Sequence, residues 1–129
     1  MKYDVIIFGA GASGMILSLA LADYDFKVML VEKRDLKKAY ENEDKFCRAF
    51  ALSYGSKQIL DYYNIWPNLK KFTCPIINIE VKDDNSIFSL YFNSKEIKTS
   101  EPLGYMIENH ILLKLLYSQV LENKNINLM

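Results

Sequence analysis

The sequence is poor in the residues that mark metal, disulfide and nucleophile chemistry. It has two cysteines and one histidine in 129 residues. Cys47 and Cys74 belong to no Cys-x-x-Cys or Cys/His spacing. We therefore interpret them as two structural thiols of a protein in a reducing, cytoplasmic setting. His110 has no partner at ligand spacing, and we interpret it as a solvent-facing or helix-start histidine. We therefore predict no metal site, and we find no convergent acid–base or nucleophile–base set that would mark catalytic residues.

Net charge and long apolar runs are also lacking. Sixteen basic residues balance sixteen acidic ones, so no overall field favours nucleic acid or an anionic membrane as a partner. The longest apolar stretch, residues 15–22, is far shorter than the ~20 residues of a membrane span. A strand pattern that begins at residue 3 leaves no room for a signal peptide. We expect a cytoplasmic chain without a transmembrane segment, at most peripheral at the inner face of the membrane.

The most informative segment that is present runs from Tyr3 to Glu32. Its short, β-branched apolar run, Val5–Phe8, predicts a strand and is followed directly by three glycines. Gly9 permits the tight turn out of the strand, Gly11 lets the backbone approach a pyrophosphate, and Gly14 lets a helix pack closely on the sheet. This order of strand, glycine turn and helix is typical of a dinucleotide-binding βαβ unit.

The rest of that unit supports the same interpretation. The helix begins near Ala12, and the unpaired N–H groups of its first turn, including Ser13, favour phosphate groups. A second predicted strand, Lys27 to Val31, ends at Glu32, where a carboxylate would accept hydrogen bonds from the adenosine ribose. Glu32 argues against a ribose 2′-phosphate, although Arg34 leaves NADP open. The alternative is a plain βα turn with a surface glutamate.

The middle of the chain predicts a loop and a helix. Residues 33–45 are dense in Lys, Glu, Asp and Asn and are predicted as an exposed loop. Apolar residues at helical spacing within 57–65 predict a helix. We expect Ser56 to be its N-cap and the Trp66–Pro67 pair to end it.

The second half predicts a hairpin, a helix and a last strand. Two β-rich runs, 75–82 and 87–92, flank a polar turn, which predicts an antiparallel hairpin. The other predicted elements are a polar loop at 93–100, a helix at about 108–123 introduced by residues 102–105, and a strand that starts at 125–129.

The predicted strands near 3–8, 27–32 and 125–129 are expected to lie parallel in the order third, second, first. The fold class is therefore α/β, a Rossmann-like unit with an inserted antiparallel hairpin. No predicted strand flanks the first one on its other side, so the apolar edge at residues 5–8 would be unpaired and would invite association.

Three ordered segments resemble the FAD-dependent aromatic-ring hydroxylases, and most closely their ubiquinone-biosynthesis branch, the 2-polyprenyl-6-methoxyphenol hydroxylase-like proteins. Residues 4–32 are similar to the FAD fingerprint of that family. The run Arg48-Ala-Phe-Ala-Leu-Ser-Tyr-Gly-Ser, with its continuation to Trp66, resembles a second motif. The run Leu103-Gly-Tyr-Met-Ile-Glu-Asn109 resembles a third. Together the segments cover nearly the whole chain, and the second motif is much more specific than the first.

The resemblance implies FAD as cofactor and NAD(P)H as electron donor in the hydroxylation of an aromatic ring. Arg48 corresponds to a family arginine that approaches the FAD from the far side of the fingerprint, where a guanidinium can pair with the diphosphate; the alternative is a surface salt bridge. His110 departs from the family, in which several relatives have an arginine. The expected cofactor-binding residues are Gly9, Gly11, Ala12, Ser13, Gly14, Glu32, Lys33 and Arg48.

The resemblance also implies that parts of the family pattern are absent. Nothing in the chain resembles the family's Gly-Asp motif, which touches the FAD, and most of the substrate pocket is missing. We expect one partial FAD-binding domain over residues 1–129, with Rossmann parts at about 1–50 and 103–129 and the inserted hairpin at about 72–102. Alone it would be inactive or nearly so, and a separate chain could supply the C-terminal half. The alternatives are a non-catalytic nucleotide-binding or interaction module and a decayed gene fragment.

Overall fold

A computed structural model describes residues 2–41, 48–83, 88–96 and 101–129. The chain forms two compact units, Met1–Arg48 with Asn109–Met129, and Ala49–Glu108. In chain order the elements are β1 (Val5–Phe8), α1 (Ala12–Asp23), β2 (Val28–Val31), α2 (Leu36–Glu41), β3 (Ala49–Ser53), α3 (Tyr54–Tyr62), α4 (Trp66–Leu69), β4 (Cys74–Ile76), β5 (Asn78–Lys82), β6 (Ser89–Asn93), β7 (Gly104–Glu108), α5 (Asn109–Glu122) and β8 (Ile126–Leu128).

The first unit is built on a parallel sheet in the order β1-β2-β8. Val5 pairs with Val28, and Val28 with Ile126, so the three strands run in register. Alternate residues of the strands, such as Ile7 and Leu30, are buried. Helices α1 and α5 contact one another and the strands, and their buried side chains complete the core: Met15, Leu19, Ala22, Leu112, Leu116 and Val120. The predicted parallel three-stranded sheet and its strand order are confirmed.

Two residues of β1 face away from that core. Ile6 is 53% exposed and Phe8 is 81% exposed. Within the described ranges, β1 pairs with β2 on one side and has no strand on the other. A parallel sheet is normally covered on both faces, so this unit presents an apolar edge and an apolar outer surface.

The second unit contains an antiparallel sheet in the order β3-β7-β4 and the separate hairpin β5–β6. Leu52 pairs with Tyr105 across β3 and β7, and both side chains are buried. In the hairpin, Ile79 pairs with Phe92 and Val81 with Leu90. The predicted antiparallel hairpin is confirmed, although most of its predicted turn lies outside the described residues.

Several predicted boundaries are wrong. Residues 104–108 form strand β7 rather than the introduction to a helix, because buried Tyr105 and Ile107 alternate with exposed Met106 and Glu108 at the period of a strand. The predicted strand at 75–82 is split, since β4 pairs with β7 and only β5 belongs to the hairpin.

The predicted helix boundaries in the middle of the chain also shift. Ser53, not Ser56, is the N-cap of α3, because its hydroxyl accepts the N–H of Ser56 at 3.2 Å. The Trp66–Pro67 pair begins α4 rather than ending α3, with proline in the first turn where no N–H is needed. The predicted loop at 33–45 contains α2, which buries Leu36; residues 42–45 of that prediction lie outside the described residues.

Candidate functional site

A glycine turn joins β1 to α1. Gly9 adopts a φ of +102°, which residues other than glycine rarely adopt. Its N–H donates to the carbonyl of Val31 at 2.7 Å. A Cβ built on Gly14 would lie 2.0 Å from the carbonyl oxygen of Gly9. The helix therefore begins against the turn itself, as closely as the sequence pattern predicts.

The first turn of α1 is open to a ligand. Gly11 is the N-cap, it has no side-chain capping bond, and the turn contains no acidic residue. A Cβ on Gly11 would meet no atom within 4 Å. The first N–H groups of a helix have no intrahelical acceptor, so those of Ala12 and Ser13 are available at this turn. Gly9, Gly11, Ala12, Ser13 and Gly14 are thus brought together around one backbone concavity.

Glu32 holds the other side of this turn. Its Oε2 accepts the N–H of Ala10 at 3.0 Å, and its Oε1 accepts the N–H and Nε of Arg34, each at 3.2 Å. The Glu32 side chain is 8% exposed, whereas that of Arg34 is 60% exposed. Burial alone would raise the pKa of Glu32, but the hydrogen bonds from Ala10 and Arg34 and the guanidinium charge outweigh it and lower the pKa. The carboxylate is therefore ionised and oriented before any ligand arrives.

A recess of about 180 Å3 lies beside this carboxylate. Its lining includes Glu32 and Arg34, the ring of Tyr117, and the ends of β8 and the chain at Leu128 and Met129. The lining thus combines charged and apolar residues, which suits a ligand that has both a polar sugar and a flat, weakly polar ring.

The remaining predicted residues take no part in the hydrogen bonds that join the glycine turn to Glu32. Lys33 is exposed. The carbonyl of Arg48 accepts the N–H of Asn109 at 2.8 Å, which fixes the start of α5. The guanidinium of Arg48 is exposed and forms no ion pair within the described part of the chain. His110 occupies the second position of α5, and Cys74 is an exposed free thiol, whereas Cys47 lies outside the described residues.

Two site residues were missed by sequence reasoning. Ala10 is absent from the predicted site residues, yet its main-chain N–H is the donor that joins the turn to Glu32. Ser18 is fully buried, and its hydroxyl donates to the carbonyl of Gly14 at 2.7 Å. A backbone donor leaves no signal in the sequence, but a serine in an apolar helix at four residues from the third glycine is a visible one.

Two findings concern chemistry and location. In the described ranges, no group of three or more His, Cys, Asp or Glu side chains is arranged to share a metal ion. Nor does any helix there have the length and apolar character required to cross a bilayer.

Comparison with known proteins identifies relatives in one group of enzymes. No protein-family profile matches the chain. Ubiquinone hydroxylase UbiM of Neisseria meningitidis is 27% identical over 98% of this chain, which corresponds to 28% of that protein. Ubiquinone hydroxylase UbiL of Rhodospirillum rubrum is 33% identical over 84% of the chain and 25% of its own length. The chain therefore spans about a quarter of the length of these curated relatives.

Solved structures give the same fold. PqsL of Pseudomonas aeruginosa, crystallised with 2-aminobenzoylacetate, superposes with a TM-score of 0.74 at 17% identity. The superposition includes 98% of this chain and 33% of the PqsL chain. The flavin-dependent monooxygenase PieE, in complex with FAD and substrate, superposes with a TM-score of 0.69 at 20% identity. This superposition includes 99% of this chain and 23% of the PieE chain. The homologues of this chain are thus ubiquinone hydroxylases, and its fold is that of a portion of the FAD-dependent monooxygenases.

Proposed function

We propose that this chain is the FAD-binding portion of a flavin-dependent monooxygenase that hydroxylates an aromatic ring, of the ubiquinone-biosynthesis type. The observation that carries the proposal is the contact between the N–H of Ala10 and the carboxylate of Glu32. It joins the glycine turn to the acidic end of β2, which are the two parts that a dinucleotide must bridge.

The residues present fit FAD. The open position at Gly11 and the free N–H groups of Ala12 and Ser13 would receive the diphosphate. Oε1 of Glu32 already accepts two bonds, but Oε2 accepts only the N–H of Ala10 and retains a lone pair, so the carboxylate can also accept a ribose hydroxyl. The adenine ring would occupy the recess beside Tyr117 and Leu128.

Arg48 and Lys33 are the weaker members of the proposed cofactor site. Both are exposed cations, and the Arg48 guanidinium forms no ion pair in the described ranges. A guanidinium can bind a phosphate through two parallel N–H groups. The proposed role of Arg48 is to add this charge to a diphosphate that the glycine turn holds by backbone alone.

Bound FAD would supply the redox chemistry of oxygen activation, with NAD(P)H as the proposed electron donor. The part of the protein in hand would bind and orient the cofactor. A separate chain that supplies the C-terminal half is a further part of the proposal, because β1 presents an apolar edge and exposed Ile6 and Phe8. A polyprenylated substrate would require the complete cytoplasmic enzyme to contact the inner face of the membrane.

The test is a titration of the purified chain with FAD and with ADP, followed by flavin fluorescence and thermal unfolding. A ligand at 100 times its Kd adds roughly 2.7 kcal/mol to the free energy of unfolding, so both ligands should raise Tm. Gly11→Val is the decisive variant. Its side chain would enter space that is free of protein atoms, so the fold should persist while the phosphate position is blocked.

Gly55→Val is the matched control, because Gly55 also has no atom within 4 Å of a built Cβ but lies on α3. We expect this variant to respond to FAD and ADP as the wild-type chain does. A wild-type chain that unfolds cooperatively but is not stabilised by either ligand would refute the proposed site. Equal binding by Gly11→Val would refute the assignment of the glycine turn.

A further inference from the structure

A second recess lies at the amino-terminal edge of the parallel sheet. It has a volume of about 270 Å3 and is lined by Lys2, Tyr3, Lys27, Lys124, Asn125 and Asn127. We call it the basic recess, because three of these six described lining residues are lysines and none of the six is acidic.

The three lysines converge for a topological reason. Lys2, Lys27 and Lys124 each precede one of the strands β1, β2 and β8, which are neighbours in the sheet. Parallel strands all begin at the same edge, so the residues before them meet there. The glycine turn lies at the other end of β1, and a strand of four residues spans about 13 Å. The basic recess is therefore separate from the dinucleotide site.

Main-chain and side-chain bonds fix the walls of the basic recess. The N–H of Asp4 donates to the carbonyl of Lys27 at 2.8 Å, and the N–H of Lys27 returns a bond to Asp4 Oδ2 at 2.8 Å. The carbonyl of Asn125 accepts the first N–H of β2 at 2.8 Å. The side-chain amide of Asn127 donates to the hydroxyl of Tyr3. The main-chain position of Lys27 and the rim formed by Asn125, Asn127 and Tyr3 are thus defined before a ligand binds.

The charge of the recess is not neutralised from within. In the part of the chain that the structure describes, none of the three lysines forms an ion pair. Asp4 is adjacent, and its carboxylate, which accepts the main-chain N–H of Lys27, offsets part of the positive charge of the lysines. Asp25 and Glu122, two residues before Lys27 and Lys124 in the sequence, also oppose the positive charge, but neither lines the recess. Because charges are screened beyond about 8 Å at physiological ionic strength, attraction for an anion is confined to the recess itself.

We propose that the basic recess binds a phosphate-bearing group. Lysine binds phosphate as a flexible point charge, so exposed ammonium groups around an ordered rim can close on the oxygens of an anion. The volume lies just below the ~300 Å3 at which pockets for drug-sized ligands begin. The ligand is therefore a compact phosphate or diphosphate, free in solution or carried by the headgroup of an anionic lipid. This proposal is independent of the proposed function.

The test uses the full chain labelled with ¹⁵N and titrated with inorganic pyrophosphate. We expect the amide resonances of Lys27, Asn125 and their neighbours to shift. Resonances of residues 9–14 report separately on binding at the glycine turn. The double variant Lys27→Gln/Lys124→Gln should weaken binding at the recess by about tenfold or more, as expected from the loss of charged hydrogen bonds. Shifts at the glycine turn should be unaltered in that variant.

Lys70→Gln/Lys71→Gln is the control, since it removes the same charge from exposed positions in the second unit. A second arm measures cosedimentation with vesicles of phosphatidylglycerol in phosphatidylcholine and with pure phosphatidylcholine. Binding to the acidic vesicles that requires Lys27 and Lys124 would assign the lipid headgroup. Pyrophosphate binding without vesicle binding would assign a free ligand. Shifts confined to residues 9–14 without vesicle binding, or equal losses in both double variants, would overturn the proposal.

Discussion

Ala10 and Glu32 are 22 residues apart, and the main-chain N–H of the first donates to the carboxylate of the second at 3.0 Å. Through this bond the carboxylate at the end of β2 orders the glycine turn at the end of β1. Arg34 holds the other carboxylate oxygen through its N–H and Nε. Glu32 is therefore a structural residue of the turn as well as the proposed ribose acceptor.

Substitution Glu32→Gln should reduce both stability and ADP affinity. The amide retains one oxygen but loses the charge that two main-chain donors use, which should cost roughly 1–2 kcal/mol of unfolding free energy. The pKa of Glu32 is lowered in the folded chain. The contribution of its carboxylate to the free energy of unfolding is therefore complete above pH 4.5, and it is lost as the pH falls through the pKa of the folded state. Urea unfolding at several pH values should show the variant and wild type converging in acid.

Glu122→Gln is the control for this charge, because it is an exposed glutamate at the end of α5 in the same unit. Its unfolding free energy should stay within about 0.5 kcal/mol of wild type. A Glu32→Gln deficit that persists unchanged at low pH would show that its cause is not the carboxylate charge.

Gly14→Ala should destabilise the first unit. The added Cβ would lie 2.0 Å from the Gly9 carbonyl, which is main chain and cannot rotate away. Separation of α1 from the turn should cost roughly 1–3 kcal/mol. Urea unfolding measures this loss, and hydrogen exchange should localise it to α1 and β1.

The matched change Gly55→Ala should leave the free energy of unfolding unchanged or raise it. Its Cβ meets nothing within 4 Å, and the position lies in α3, where alanine is favoured over glycine by up to about 1 kcal/mol. If both alanine variants had the same stability, close approach at Gly14 would not be the reason that glycine is present there.

The parts of the fold that could be predicted are those with strong local signals. Glycines at 9, 11 and 14 after a β-branched run predicted the turn, and the parallel strand order followed from the usual crossover geometry. Strand β7 was missed because residues 102–105 were interpreted as the introduction to a helix. Its place is set by a distant neighbour, since a Cβ there would lie 2.5 Å from the Leu52 carbonyl. Such a tertiary approach has no local signal.

The site shows the same division. The glycine turn itself was predictable from the spacing of its glycines, whereas the binding roles of these residues and of Glu32 stay predictions. The bond to Ala10 and the bond from Arg34 were not predictable, because both depend on how β2 ends beside the turn. The lysines of the basic recess precede three separate strands, so only the assembled sheet brings them together.

Lys57→Met should destabilise the second unit mildly. The Lys57 side chain is 13% exposed, its ammonium is 3.1 Å from Asp61, and it lies 5.6 Å from the ring centroid of Trp66. Methionine retains the apolar stem but loses the cation, at a cost of about 1 kcal/mol. The hydrogen bond to Asp61 raises the pKa of Lys57 above 10.5. The contribution of the ammonium to the free energy of unfolding is therefore complete below pH 10.5, and it is lost as the pH rises through the pKa of the folded state.

The measurement is thermal unfolding of wild type and Lys57→Met across the alkaline range. Lys71→Met is the control, because its ammonium also lies over an aromatic ring, that of Phe72 at 5.0 Å, but both residues are exposed. The control should cost less than Lys57→Met. Equal costs would indicate that the partly buried ion pair with Asp61 adds nothing.

Ile6→Lys should reduce self-association without loss of ADP binding. Ile6 is 53% exposed on β1, the strand at the edge of the described sheet, and an apolar edge favours pairing with another chain. A lysine there keeps the strand but opposes edge pairing by charge and solvation. Sedimentation velocity over a concentration series measures the effect. Leu121→Lys is the control, because Leu121 is 58% exposed but lies on α5. If both variants dissociated equally, general surface charge rather than the β1 edge would control association.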